Sequence, residues 1–159
     1  MRRGAAAGVV VIVAALSAFG LWTAAGASSD KHPRQDQLAD LRRATLKYHD
    51  VNAAVASGRT DLHLCVDHMG QHYANQATFS DGVLDPLDPE AMAYADDGKG
   101  HLRLVAVEWV STTPGTVMGH ALHLNATLGV WVLHAWIWSG NPAGLFEDMN
   151  PTIGVCPTR

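Results

Sequence analysis

Hydrophobic residues at helical spacing mark the start of the folded part of the chain. Asp36 stands where a side chain caps the first turn of a helix, and Gly58 stands where a left-handed residue ends one. The positions that repeat every three or four residues between them are Leu38, Leu41, Thr45, Tyr48, Val51 and Val55. This spacing predicts one amphipathic helix over residues 36–57.

After this helix the period of the pattern changes from about 3.6 to two. Leu62, Leu64 and Val66 alternate with other residues, as in a half-buried strand. Further strands are predicted over residues 92–94, 102–110, near 117–124 and over 128–138. Two Asp-Pro pairs in residues 80–90 and the loop DDGKG at 96–100 indicate turns. One helix followed by a run of strands predicts an α+β domain with a mainly antiparallel sheet.

The first 27 residues have the pattern of a secretory signal peptide. Arg2 and Arg3 precede an uncharged apolar stretch over residues 5–21, and Ala25-Gly26-Ala27 fits a signal-peptidase site. We expect cleavage after Ala27, a flexible lead-in over 28–35 and a single domain over 36–159, in a secreted or periplasmic protein. The alternative is an uncleaved N-terminal anchor, because the apolar stretch approaches the roughly 20 residues of a membrane span.

Removal of the signal peptide makes the chain more acidic. The mature chain keeps 9 basic and 15 acidic residues, a net charge of about -6 with neutral histidines. This charge disfavours a nucleic-acid partner, and we expect no membrane span after signal removal. A small molecule or a metal ion is the expected partner, and the sequence leaves the oligomeric state open.

Two cysteines, Cys65 and Cys156, remain in the mature chain. In an oxidising compartment an isolated pair of this kind is most simply a disulfide, and metal ligation is the alternative.

Strand alternation places two ionisable side chains, Glu108 and His134, in apolar rows, because residues two apart on a strand share a face. A buried carboxylate or imidazole is costly unless it has a hydrogen bond, an ion pair or a metal ion. Each therefore requires a partner, which the other supplies if the two strands share a sheet. The predicted rows are Leu102, Leu104, Ala106, Glu108 and Val110, and Leu128, Val130, Val132, His134, Trp136 and Trp138.

Two histidines in the segment DHMGQHY (67–73) are candidates to complete a metal site. His72 or His68 would join His134 and Glu108 in a His, His, carboxylate set, which suits one Zn, Cu, Fe or Mn ion. Glu108 would then act as a ligand or as a general base. Gly70 predicts a turn here, and Met69 stands where an HExxH metalloprotease requires Glu. The alternatives are a buried Glu and His pair without a metal, and side chains on opposite faces.

Aromatic residues provide a second set of candidates. Trp136, Trp138 and Tyr73 are candidate ligand-binding residues that would stack on a ring-bearing molecule, and core packing is the alternative. His120 and His123 would lie on opposite faces of a strand, so we expect them to share an ion only if their segment is a loop.

Five segments of the chain carry a resemblance when they are taken in order. They are MGQHY (69–73), LDPLDPE (84–90), LRLVAVEW (102–109), LHAWIWSGNPAGLF (133–146) and NPTIGVC (150–156). The chain resembles a family of small secreted bacterial proteins of unassigned function, marked by MGxHY, LRLVxVE, LHxWxWxxNPxG and a late NPxxxC. It departs from that pattern at Trp109, at Met149 and in a shortened segment over 111–127. The resemblance implies no activity, but it groups His72, Glu108, His134, Trp136 and Trp138.

Three functional hypotheses follow from the sequence. The first is an exported domain with a His and Glu cluster in an aromatic pocket, which binds a transition metal and acts, if it is an enzyme, through that metal. The second is a non-catalytic module that binds a small ligand, and the third is a structural protein. The sequence does not decide whether the protein is an enzyme.

Overall fold

A computed structural model of the chain describes residues 35–157, which form two short helices and an antiparallel sheet. The predicted signal peptide and residues 28–34 of the predicted lead-in lie outside the described residues. Helix α1 (Gln35–Thr45) leads through a 3-10 turn (Leu46–His49) into α2 (Val51–Ala56). The strands are β1 (Thr60–Val66), β2 (Gly70–Ala74), β3 (Ala91–Asp96), β4 (Leu102–Ser111), β5 (Thr116–Val117), β6 (His120–Ala121), β7 (His123–Asn125) and β8 (Val130–Ala135). The α+β class is confirmed.

The single helix predicted over residues 36–57 is divided in the structure. Asp50 takes an extended conformation, with φ -85° and ψ 111°, and its side chain accepts a hydrogen bond from the Asn52 amide. An Asp in this conformation caps a new helix in preference to continuing the old one. Gly58 ends the helical region with φ +93°, as predicted.

Six strands form one sheet in the order β1-β2-β3-β4-β8-β7, and every neighbouring pair is antiparallel. Strands β5 and β6 form a separate ribbon. The single strand predicted near 117–124 is wrong, because Met118 and Gly119 take φ values of +50° and +80° and turn the chain between β5 and β6. The strand predicted over 128–138 is shorter and ends at Ala135.

The turn predicted for the segment 67–73 occupies only its first half. His68 has φ +62° and Gly70 has φ +103°, and the chain then enters strand β2. A side chain at Gly70 would collide with the backbone of Tyr94 on β3, so glycine is required for the two strands to approach. His72 and Tyr73 therefore lie on a strand and point to opposite faces of the sheet.

A β-bulge in β4 changes the predicted row around Glu108. Ala93 pairs with Ala106 while the next residue, Tyr94, pairs with Leu104, so that Val105 is the extra residue. A bulge reverses the alternation beyond it. Leu104 accordingly packs with Val107 and Trp109 on the other face. Of the predicted row, Ala106 and Val110 remain on the same face as Glu108.

The two faces of the sheet are covered differently. Residues of the helical region, among them Leu41, Tyr48 and Ala54, pack against one face. The tail that follows β8 crosses the other face, where Ile153 packs against Trp136. No helix within residues 35–157 has both the length and the apolar character needed to cross a membrane.

A disulfide between Cys65 of β1 and Cys156 fastens the tail, which confirms the predicted pairing. The bridge closes a sequence separation of 91 residues. A loop of this length corresponds to roughly 4–5 kcal/mol of stabilisation in the chain-entropy model. The disulfide is consistent with an oxidising location outside the cytoplasm.

Candidate metal centre

Three strands of the sheet bring one polar side chain each to the face that the helices leave free. His72 lies on β2, Glu108 on β4 and His134 on β8. Glu108 is paired directly with His134, so their side chains project together. Strand β3 separates β2 from β4, but it carries only Ala91 and Ala93 beneath the cluster. Because these methyl groups are short, His72 reaches across β3 to Glu108.

The three side chains converge on one oxygen atom. Glu108 Oε1 lies 2.8 Å from His72 Nε2 and 2.8 Å from His134 Nε2. One ligand atom from each of the three residues falls within 4.8 Å of the others, and all three residues are buried. Two imidazoles and a carboxylate at this separation have the composition and spacing of a transition-metal site.

Short distances within the cluster are not accompanied by hydrogen-bond geometry. Glu108 Oε1 and His134 Nε2 are both buried, and neither has a hydrogen bond of acceptable angles within the described residues. Buried polar atoms in native proteins are normally satisfied, so such a pair requires an explanation. One explanation that fits these ligand atoms is a cation bound between their lone pairs.

The outer nitrogen of each imidazole faces an acceptor. His72 Nδ1 donates to the backbone carbonyl of Leu64 at 3.0 Å, and His134 Nδ1 donates to Asp148 Oδ1 at 3.3 Å. A carbonyl or carboxylate at Nδ1 fixes the ring orientation and leaves Nε2 as the ligand atom, which is the usual arrangement around a metal-bound histidine.

Asp148 connects the cluster to the protein surface. Its Oδ1 lies 3.0 Å from Nε2 of His123, and the side chains of Asp148 and His123 are 44% and 45% exposed. His134, in contrast, is almost fully buried. A continuous series of polar groups therefore runs from solvent through His123 and Asp148 to His134 and Glu108.

Burial and the mutual charges of the cluster shift the pKa of each member. Burial opposes the charged form of His134, but Glu108 and Asp148 outweigh it and raise the pKa of His134 to about 10. Burial likewise opposes charge on His72, whose pKa Glu108 nevertheless raises. Burial would raise the pKa of Glu108, but the two imidazoles hold it well below its usual range. In the metal-free protein Glu108 and His134 therefore form a buried ion pair, with His72 beside it.

A small cavity adjoins the cluster on the same face. Its volume is about 80 Å³, and His72, Glu108, His134 and Asn125 form the polar part of its wall. The remaining wall is mainly aliphatic and comes from β1, β4, β8 and their loops. A larger groove of about 300 Å³ runs beside the disulfide, but it contains none of the three cluster residues.

The other sequence-predicted site residues lie outside the cluster. His68 is exposed in the turn before β2, and its Nδ1 contacts the Ile153 carbonyl at 2.8 Å. Tyr73 lies on the opposite face, against Tyr94, and lines the larger groove. His120 packs on Phe146.

The predicted pair of tryptophans is separated by the end of β8. Trp136 stacks beside His134 at 6.2 Å, but it is only 2% exposed and its Nε1 donates to the Glu147 carbonyl. Trp138 lies on the helical side, where Nε1 donates to Thr45 Oγ1. The predicted common face is wrong for Trp138, because the strand alternation stops at Ala135. Neither tryptophan lines the cavity beside the cluster.

Sequence reasoning missed the roles of Asp148 and of the Leu64 carbonyl. Asp148 belongs to the irregular tail, where no periodicity indicates which way a side chain points. A backbone carbonyl leaves no signal in the residue type at all.

Comparison with protein-family models, with curated proteins and with solved structures finds no match to this chain.

Proposed function

We propose that this protein binds one divalent transition-metal ion through His72, Glu108 and His134. The observation that carries the proposal is the convergence of three buried ligand atoms within 4.8 Å, of which two lack any hydrogen bond of acceptable geometry. The acceptors at both Nδ1 atoms support it, because they direct the Nε2 atoms toward a common point.

Three protein ligands leave a transition metal with an open coordination position. Catalytic zinc sites with two histidines and a glutamate have this form, as do iron(II) sites with two histidines and one carboxylate. Here the open position would face the cavity beside the cluster. In this arrangement Glu108 is a ligand, and a metal-assisted reaction would use a small molecule bound at the fourth position.

Elemental analysis of the untagged protein tests the proposal. We expect about one Zn, Cu, Fe or Mn ion per chain, retained through gel filtration, and a large loss in the His72→Ala, His134→Ala double variant. The matched control is the double variant His63→Ala, His101→Ala, which removes two imidazoles that are 76% and 78% exposed. This control should keep the ion.

A chain that stays metal-free after incubation with each of the four ions would contradict the proposal. Circular dichroism of the two double variants shows whether lost binding reflects lost folding. If the cluster variant proves unfolded, the single variant Glu108→Gln provides the test, because Gln keeps the shape of the side chain and removes its charge. It should weaken binding while the far-ultraviolet spectrum stays unchanged.

The cavity also supports a second candidate function, the binding of a small ligand without a metal. In that case protonated His72 and His134 would both pair with Glu108, and the aliphatic wall would contact the ligand. Ligand-induced stabilisation that a chelator leaves unchanged would favour this function over the first.

A further inference from the structure

The wall of the cavity beside the cluster favours apolar ligands over polar ones. Its aliphatic part includes Leu62, Leu64, Val110, Leu128 and Val132, and Asn125 is the one polar residue of its wall outside the cluster. Within residues 35–157, no lysine or arginine lines it. Val110 and Val132 are 5% exposed, whereas Leu128 is 53% exposed. A volume of about 80 Å³ is far below that of a typical pocket for a drug-sized molecule. The occupant must therefore be small and largely apolar.

The net charge of the metal-loaded cluster indicates the head group of the occupant. This step rests on the proposed function: a divalent ion bound by neutral His72, neutral His134 and ionised Glu108 leaves one uncompensated positive charge in a buried site. Asp148 lies farther out, behind the ring of His134, and is half exposed. An uncompensated charge in an apolar environment is costly, so a monoanion at the open position is favoured.

We propose that the cavity binds a monocarboxylate with a short, unbranched aliphatic chain. Its carboxylate would occupy the open position of the ion, and its chain would lie against Val110, Val132 and Leu128. Without the ion, a cluster with both imidazoles protonated would carry the same net charge, but both Nε2 atoms face Glu108. Among the described residues, the cavity wall would then offer a carboxylate no cationic group directed at it. The ion therefore supplies the recognition of the head, and the wall supplies the recognition of the chain.

Titration of the cobalt(II)-loaded protein with sodium salts of straight-chain acids tests this inference, because ligand exchange changes the visible absorption of bound Co²⁺. From formate through acetate and propanoate to butanoate, we expect the affinity to rise by about fourfold per added methylene until the cavity is filled. The anion 3-hydroxybutanoate has the same charge and chain length as butanoate. It should bind several-fold more weakly, because its hydroxyl enters an apolar wall.

A pair of leucine variants locates the chain. Leu128 lines the cavity, whereas Leu124 is equally exposed on β7 and does not line it. Leu128→Ala should lower the ratio of butanoate to formate affinity by several-fold, and Leu124→Ala should leave this ratio unchanged. A change in how strongly the ion binds the carboxylate would affect both anions equally, so the ratio of affinities reports the contacts of the chain alone.

Three outcomes would overturn the inference, and the first of them would overturn the metal site as well. A protein that takes up no cobalt would overturn the metal site together with the ligand. A protein that takes up about one cobalt ion, but binds formate and butanoate equally, would leave the metal site standing and overturn the aliphatic ligand. Equal ratios in the two leucine variants would place the chain outside the cavity and contradict the proposal as well.

Discussion

Asp148 is the residue at which the buried cluster meets solvent. Its carboxylate contacts His134 Nδ1 at 3.3 Å on the inner side and His123 Nε2 at 3.0 Å on the outer side. The hydrogen bond from His134 and the charges of both imidazoles lower the pKa of Asp148, against an opposing effect of burial. An ionised carboxylate at this place increases the basicity of His134 as a ligand.

Replacement of Asp148 by Asn should weaken metal binding by about 10- to 100-fold. The amide oxygen of Asn can still accept the Nδ1 hydrogen, but the negative charge that strengthens the ligand is lost. Competition against a chromophoric chelator measures the change. Glu147→Gln is the control, since it removes the same charge from an exposed neighbour. Equal affinities in the two variants would show that Asp148 has no influence on the ion.

At the scale of elements, strand β3 determines whether the cluster can form. It lies between the strands of His72 and Glu108, and its residues on that face are alanines. Ala91 is paired with Glu108 and also lines the cavity, and Ala95 lies two positions beyond Ala93 on the same face. A larger side chain at Ala91 would enter the space that the cluster occupies.

Ala91→Val should therefore reduce metal affinity by more than tenfold and destabilise the fold by about 1–3 kcal/mol through overpacking. Ala95→Val provides the matched control, because it adds the same two methyl groups on the same face away from the cluster. Metal titration and urea unfolding of both variants separate the two effects. If both variants bind metal equally well, β3 does not limit the cluster.

The strands also show how much of the site the sequence predicts. Alternation along β4 and β8 predicts that Glu108 and His134 each lie in an apolar row and would be partners if the two strands share a sheet and a side. The structure pairs them directly. Alternation fails where the backbone departs from regularity, at the bulge of Val105 and after Ala135. Both departures depend on how strands pair and pack, which a residue pattern in one strand does not contain.

His72 illustrates a different limit. The sequence names it as a candidate, but places it in a turn, because Gly70 and the polar neighbours resemble loop residues. The structure uses Gly70 to bring β2 close to β3, and this contact turns the segment into a strand. A tertiary contact, therefore, decides the local structure.

For the molecule as a whole, buried groups with raised pKa values, among them Glu90 and His134, link folding to pH. Burial and the neighbouring Asp81 raise the pKa of Glu90 to about 7, despite a hydrogen bond from the Val110 amide. Glu108 raises the pKa of His134 to about 10 against the effect of burial. Each group binds its proton more tightly in the folded protein than at its ordinary pKa of 4.5 or 6.5. The stability that it contributes is complete below that ordinary value and is lost as pH rises through the folded one.

The free energy of unfolding of the metal-free protein should therefore fall in two steps as pH rises, one between about 4.5 and 7 and one between about 6.5 and 10. Urea unfolding at a series of pH values measures this profile. Glu90→Gln keeps an acceptor for the Val110 amide and should remove only the lower step. A profile without the upper step would contradict the ion pairs inferred for His134.

Both Nδ1 atoms of the cluster face an oxygen, so both Nε2 atoms are left to face Glu108. When the imidazoles are protonated, two hydrogens occupy the positions that a single divalent ion would take, and the positive charge is the same in both cases. Metal binding would thus replace two protons by one ion of the same total charge. The net charge inside the sheet would not change, so we expect no rearrangement of the strands. The protein would act as an ion exchanger with a rigid frame, returning up to two protons to the medium for each ion that it takes.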